Sequence, residues 1–237
     1  MKLFRSIVEL QNELFEVRKQ GKTVGLVPTM GALHGGHASL VKRSVAENGV
    51  TVVSVFLNPT QFNDKNDLDR YPRTLDADCE LLESCGAVRS VLRELSYLVY
   101  EPQTTHYRRT FSYPSVMSVM EGAHRPGHFN GVCQVVSRLF YIVRPDNAYF
   151  GEKDWQQIAV IKAMVADLGL NVHIVECPTI READGLAKSS RNTLLKDDER
   201  AIAPKIYEAL TASKKYAEDH NVSQTHDWVV EQIKAVD

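Results

Sequence analysis

The stretch Thr23-Val-Gly-Leu-Val-Pro28, continued by Thr-Met-Gly31-Ala-Leu-His34-Gly-Gly-His37 and then Ala38-Ser-Leu-Val41-Lys-Arg-Ser-Val45, decides the fold. An apolar run of strand length passes through a glycine-rich turn into a segment whose apolar residues Ala38, Val41 and Val45 have helical spacing. The next run, residues 50–57 (VTVVSVFL), is apolar at odd and even positions alike. That is the pattern of a strand covered by helices on both faces. Strand, helix and strand in this order predict a βαβ unit of parallel sheet.

The same alternation extends outward. Leu3, Ile7, Leu10, Leu14 and Val17 fall on one helical stripe, closed by Gly21 at the C-cap. Thr74 caps a predicted helix running through Cys85 to Gly86. In residues 128–143, Val132, Val135, Val136, Leu139, Phe140 and Val143 mark one helical face, and Pro145 lies beyond its end. Residues 147–151 read as a strand and Asp154 as the cap of a helix burying Ile161, Met164, Val165 and Leu168 up to Gly169. Residues 171–177 read as another strand. The βαβα order predicts an α/β fold with a doubly wound parallel sheet, binding its ligands at the carboxyl ends of the strands. After Pro178 a polar loop over residues 181–192 leads into expected helices around 202–217 and 227–236. Residues 1–178 are therefore expected to form the sheet domain and residues 179–237 a smaller C-terminal domain.

Five segments carry candidate chemistry. The turn at residues 27–37 places His34 and His37 three apart among glycines at a helix N-terminus, which suits an anion: close backbone approach, free N–H groups and imidazole donors. A metal pair is the alternative there, without further ligands at metal spacing. In Phe150-Gly151-Glu152-Lys153-Asp154-Trp-Gln-Gln157, Lys153 can neutralise phosphate charge, Asp154 can cap the helix or bind a ribose hydroxyl, and Gln157 can bond a small polar substrate. Lys188-Ser189-Ser190-Arg191 lies in a polar loop that reads as a flexible polyanion clamp or a basic surface loop. Asn58-Pro-Thr-Gln61-Phe follows the second strand, and Glu121-Gly-Ala-His124-Arg125-Pro-Gly-His128-Phe129-Asn130 precedes the strongest helix. There His128 reads equally as a packing residue or a ligand, and Phe129 as a core staple.

Composition narrows the classes. The chain has 237 residues, of which 43% are hydrophobic and 24% charged, as in ordinary globular proteins. Lys and Arg total 28 against 30 Asp and Glu, so there is no basic footprint for nucleic acid. The longest apolar runs are strand-sized, short of the ~20 residues of a membrane span. The amphipathic N-terminal segment, with Glu9, Glu13 and Glu16, matches neither a signal nor a transit peptide. Cys79, Cys85, Cys133 and Cys177 are scattered without C-x-x-C spacing, which points to reduced core thiols of a cytoplasmic protein.

Together, PTMGALHxGH, NPTQF, RYPRTLxxD, EGAxRPGHFxGV, GEKDxQQ and DGLAxSSRN resemble the pantoate–β-alanine ligase family in order and spacing. Residues 27–37 look like its form of the H-x-G-H element shared with nucleotidyl transferases, and residues 188–191 like a mobile K-M-S-K-S loop. The resemblance implies a Rossmann-like domain for ATP and pantoate, followed by a C-terminal lid domain that is truncated relative to the family. It departs from the family pattern at Lys188, where Met or Leu is usual, and over residues 88–100 (VRSVLRELSYLVY), which replace a short strand and Pro-Ser turn.

By that resemblance, ATP is contacted by Met30, Gly31, Ala32, Leu33, His34, Gly35, Gly36, His37, Gly151, Glu152, Lys153, Asp154, Ile180, Lys188, Ser189, Ser190 and Arg191. Gln61 and Gln157 bind pantoate, and Gln61 also borders the β-alanine site. His34, His37, Lys153 and Arg191 act in catalysis as positive donors to the phosphates. ATP arrives with Mg²⁺, no tightly bound protein metal is expected, and the family implies a cytoplasmic homodimer formed through the N-terminal domain. Two other readings stand beside the ligase: adenylyl transfer to a different acceptor, and an ATP-binding protein without turnover.

Overall fold

The computed structural model describes residues 2–4, 6–61, 65–86, 90–93 and 109–236. Among these, six strands form one parallel sheet: β1 (Leu3–Phe4), β2 (Val24–Thr29), β3 (Val50–Val55), β4 (Ser90–Arg93), β5 (Asn147–Gly151) and β6 (His173–Cys177). Their spatial order is β1-β4-β3-β2-β5-β6. From β2 the chain builds outward through β3 and β4 on one side and through β5 and β6 on the other. The switch point thus lies between β2 and β5, which pair through Gly25↔Asn147 and Leu26↔Ala148. A doubly wound sheet opens its ligand crevice at that point, beyond the carboxyl ends of the two strands.

Side-chain alternation along the strands makes the two helical layers. Val24, Leu26, Val50, Val52, Ala148, Phe150 and Ile174 belong to one buried cluster, which includes Leu10, Leu14, Val132, Val136, Leu139, Ile161 and Met164. Those partners come from α1 (Ile7–Lys19), α7 (His128–Val143) and α8 (Trp155–Leu168). Val27, Val53, Tyr149 and Val175 belong to a second cluster with Val41 and Leu82, from α2 (Gly35–Glu47) and α4 (Leu75–Ser84). Short helices α3 (Lys65–Arg70), α5 (Pro114–Met117) and α6 (Met120–His124) fill connections. Helix α2 runs so close to the sheet that a Cβ on Gly25 would collide with the Ser44 hydroxyl.

Local chemistry sets the helix ends. Ser6 caps α1 by accepting the Glu9 N–H, and Gly21 leaves the helix at φ +69°. The Arg18 guanidinium donates to the terminal carbonyls of α7, at 2.6 Å from Val143 O and 2.8 Å from Arg144 O. Thr74 is the N-cap of α4, yet its hydroxyl donates to Asp78 at 3.1 Å instead of accepting a helix N–H.

The helix over residues 128–143 and the strand over 147–151 match their predicted bounds. The N-terminal stripe does not extend to Leu3, which lies in β1 and pairs in parallel with Val91. Two residues paired to a neighbouring strand cannot also join the helix that Ser6 starts. The predicted strand at 171–177 begins at His173. Within the altered stretch 88–100, Ser90–Arg93 forms β4 between β1 and β3; residues 88, 89 and 94–100 lie outside the described residues, as does Phe62.

The chain divides into two compact units, Met1–Thr179 and Ile180–Asp237. The second contains α9 (Asp197–Ile202), α10 (Lys205–Tyr216) and α11 (Val222–Lys234), three helices where two were expected. Asn221 caps α11 with a capping box to Gln224, which starts that helix five residues before the predicted position. Tyr216 on α10 stacks on Trp228 of α11, ring centroids 5.0 Å apart.

Candidate active site

Two βα turns flank the switch point. The first, between β2 and α2, turns through Gly31 (φ +83°) and Ala32 (φ +50°), successive left-handed residues. Five of its amides have partners inside the protein. Gly31 N–H donates to Thr29 Oγ1 at 3.3 Å. Ala32 and Leu33 N–H donate to the two carboxylate oxygens of Asp78 at 3.1 and 2.8 Å. His34 N–H donates to His37 Nδ1 at 3.3 Å and Gly36 N–H to His34 Nδ1 at 3.1 Å. The N–H groups of residues 31–34 and of Gly36 are thus already paired inside the turn.

Those hydrogen bonds fix the histidine tautomers. An Nδ1 that accepts a backbone N–H carries no proton, so in each neutral ring the proton sits on Nε2. The rings lie 4.1 Å apart. The pKa of His37 is pushed down to about 3, by burial first, then by His34 and by Lys153. His37 is therefore a neutral Nε2–H donor at physiological pH, not the positive donor expected from sequence.

The second turn, between β5 and α8, is open and charged. Lys153 and Asp154 pair at 2.8 Å with side chains 38% and 49% exposed. Asp154 occupies the N-cap position of α8 without a side-chain cap bond, because its carboxylate faces the ammonium. Such an exposed pair contributes about 0–1 kcal/mol, so another anion can take Asp154's place at Lys153. Gln156, two positions further along the chain, is structural. It is buried and donates to the carbonyls of Val116 and Val119 at 2.9 and 2.7 Å.

Between the turns lies a cavity of about 140 Å³ lined by Met30, His37, Gln61, Asp154 and Gln157. Val132, Val135, Val136 and Leu139 of α7 give it an apolar wall, with Phe56 and Phe150. Gln61 and Gln157, 96 positions apart in sequence, thus reach one space. The Gln61 carbonyl is held from two sides, by Arg125 Nη2 and His128 Nδ1, both at 2.9 Å. His128 is buried, and its bond to a carbonyl places its proton on Nδ1. Asn58 Nδ2 donates to Gly131 O at 3.1 Å. The segments around Asn58 and His128 therefore brace each other at the mouth of α7, and Phe129 is buried in the core as its staple role requires.

In the second unit, residues 180–192 form a tied loop. Arg181 and Ala187 make an antiparallel bridge, and Lys188 N–H donates to Ile180 O at 2.9 Å. Ser189 caps a 3₁₀ turn over Ser190–Leu194 through the Arg191 N–H. The Lys188 ammonium sits 2.6 Å from Glu182, so its extra charge is already compensated. Arg181 stacks on Tyr207, 3.6 Å from its ring centre, and Arg200 pairs with Asp184 at 2.6 Å.

The profile of the pantoate–β-alanine ligase family matches residues 2–237. The chain belongs to this family. Pantothenate synthetase from Bacteroides thetaiotaomicron is 59% identical over 99% of the chain and 82% of its own length. The crystal structure of pantothenate synthetase from Thermus thermophilus superposes with a TM-score of 0.91 at 43% identity, covering 100% of this chain and 83% of that one. The pantoate–β-alanine ligase from Francisella tularensis, solved with β,γ-ATP and β-alanine, gives 0.82 at 37% identity over 98% and 86% of the two chains. The parallel α/β sheet is the fold of these ligases.

Sequence reasoning missed Asp78 as a support of the first turn. A signal was present: Asp78 lies on the apolar stripe of α4 with Leu82 and Cys85, and a charge buried on such a stripe needs partners. It also missed that Arg125 and His128 converge on the Gln61 carbonyl, which requires knowing where α7 begins relative to β3.

Proposed function

We propose that this chain is an ATP-dependent ligase that condenses pantoate with β-alanine, forming a pantoyl adenylate and releasing AMP and pyrophosphate. The observation that carries the reading is the cavity at the switch point that contains Gln61, Gln157 and His37 under an apolar wall. Pantoate pairs hydroxyls and a carboxylate with a geminal dimethyl group. Neutral amides suit the first and the valine-rich wall the second.

The pantoate carboxylate attacks the α-phosphorus of ATP and pyrophosphate leaves. The β-alanine amine then attacks the acyl carbon of the adenylate and AMP leaves. Neither step needs an enzyme nucleophile. Both need in-line positioning and donors for the charge that develops on phosphate oxygens. His34 and His37 act as Nε2–H donors, and Lys153 exchanges Asp154 for phosphate. Met30, the 31–37 turn and residues 151–154 are the proposed ATP contacts of the first unit. Ile180, Lys188, Ser189, Ser190 and Arg191 are those of the second, on the family resemblance.

Mg²⁺ is proposed to arrive on the phosphates of ATP, on the family resemblance. Among the described residues no helix is long and apolar enough to cross a membrane. A cytoplasmic location and a homodimer formed through the N-terminal domain are proposed on the family resemblance, and four cysteines held as free thiols suit a reducing compartment.

Exchange of labelled pyrophosphate into ATP tests the first half-reaction. The reading predicts exchange that requires pantoate and proceeds without β-alanine. Exchange supported equally by unrelated carboxylates, or none with pantoate, overturns it.

A further inference from the structure

Asp78 is a buried charge beside the cavity that the reaction does not use. It is 2% exposed, yet it bonds three groups at once: the N–H of Ala32, the N–H of Leu33 and the Thr74 hydroxyl. The turn it holds is conformationally demanding, because Ala32 at φ +50° adopts a backbone that L side chains rarely adopt. Successive N–H groups in such a turn converge into a concavity that takes an anion. Here the anion belongs to the protein.

The bonds form a relay. Asp78 fixes Ala32 and Leu33, and the next amide, His34, holds His37 through Nδ1, while the Gly36 amide holds His34. A shift of the turn therefore moves both imidazoles. We propose that Asp78 is a positioning residue for adenylate formation, an internal anion that locks the 31–34 turn and so sets where His34 and His37 direct their Nε2–H groups. The assignment rests on the adenylating role proposed above. A cavity of about 490 Å³ lined by Gly31, Ala32, Thr74 and Asp78 lies against the turn and leads to the place that removal of the Asp78 carboxylate would vacate.

Asp78→Asn keeps the shape but turns one of the two acceptor oxygens into an NH₂, which is then set against one of the two backbone donors. Pantoate-dependent pyrophosphate exchange should then fall on the order of 10²-fold in kcat, with the KM for pantoate changed by no more than about twofold, as expected when geometry and not binding is lost. Asp76→Asn, on the exposed side of α4, should change neither. In Asp78→Ala the vacated concavity should accept formate, which restores at least about tenfold of the lost kcat. If that variant fails to fold, the asparagine variant alone decides.

No exchange in the wild type overturns the functional reading and the assignment with it. Exchange in the wild type that persists unchanged in a folded Asp78→Asn overturns the assignment alone. So does a loss that tracks only a lowered melting temperature, or one reversed by raising Mg²⁺, which would make Asp78 a metal ligand.

Discussion

The two βα turns at the switch point solve the same problem with opposite means. The β2–α2 turn pairs five of its amides with internal partners, keeps a carboxylate buried beneath it and offers the neutral imidazole of His37. The β5–α8 turn leaves its ion pair in solvent and offers a movable charge. In the proposed reaction this is a division of labour: one side of the crevice would supply fixed direction, the other charge that can follow the phosphates. Fixed dipoles avoid reorganisation during reaction, whereas a flexible ammonium meets the leaving group as charge develops.

Each turn can be disabled separately. Lys153→Ala removes the positive charge that these two turns would give the phosphates in this reading, and adenylate formation should fall by on the order of 10²–10³-fold with the fold intact. Pyrophosphate release near the wild-type rate would refute that role. His37→Ala removes a fixed donor, with a smaller loss of about 10²-fold expected in the same assay. Gln157→Leu leaves both turns untouched and should raise the KM for pantoate by roughly tenfold, with the KM for ATP unchanged, since one hydrogen bond to a neutral group is lost.

The neutrality of His37 has a consequence for stability as well. The His37 pKa lies near 3 in the folded protein and at 6.5 as an ordinary imidazole, so the unfolded state binds the extra proton between those values. This contribution to stability is fully present above pH 6.5 and is lost as pH falls toward 3, by on the order of 1 kcal/mol per pH unit. Thermal melts from about pH 7 to about pH 5, a window inside that range, should show a shallower decline for His37→Gln than for the wild type. Parallel declines would mean that His37 titrates normally.

Much of this was legible in the sequence, for a physical reason. A doubly wound sheet announces itself through strands apolar on both faces and helices with one apolar stripe, and α7 and β5 were readable to the residue because Pro145 and the 3.6-residue period mark their limits. The location of His34, His37 and Gln157 just after β2 and β5 was readable too, because such folds bind ligands at strand ends. Hydrogen-bond direction was not. That the turn's amides face Asp78, 46 and 45 positions away, depends on how α4 packs, which no local pattern encodes. Leu3 was misread because a two-residue strand has no period of its own; its pairing with β4 decides its state.

In the proposed reaction the crevice joins pantoate to β-alanine while one α–β phosphate bond of ATP is broken. A coupled assay for AMP, with ATP, pantoate and β-alanine each omitted in turn, tests it most directly. Sustained AMP release is expected only when all three are present, with stoichiometric pyrophosphate. AMP released at the same rate without β-alanine, or ADP in its place, would contradict it.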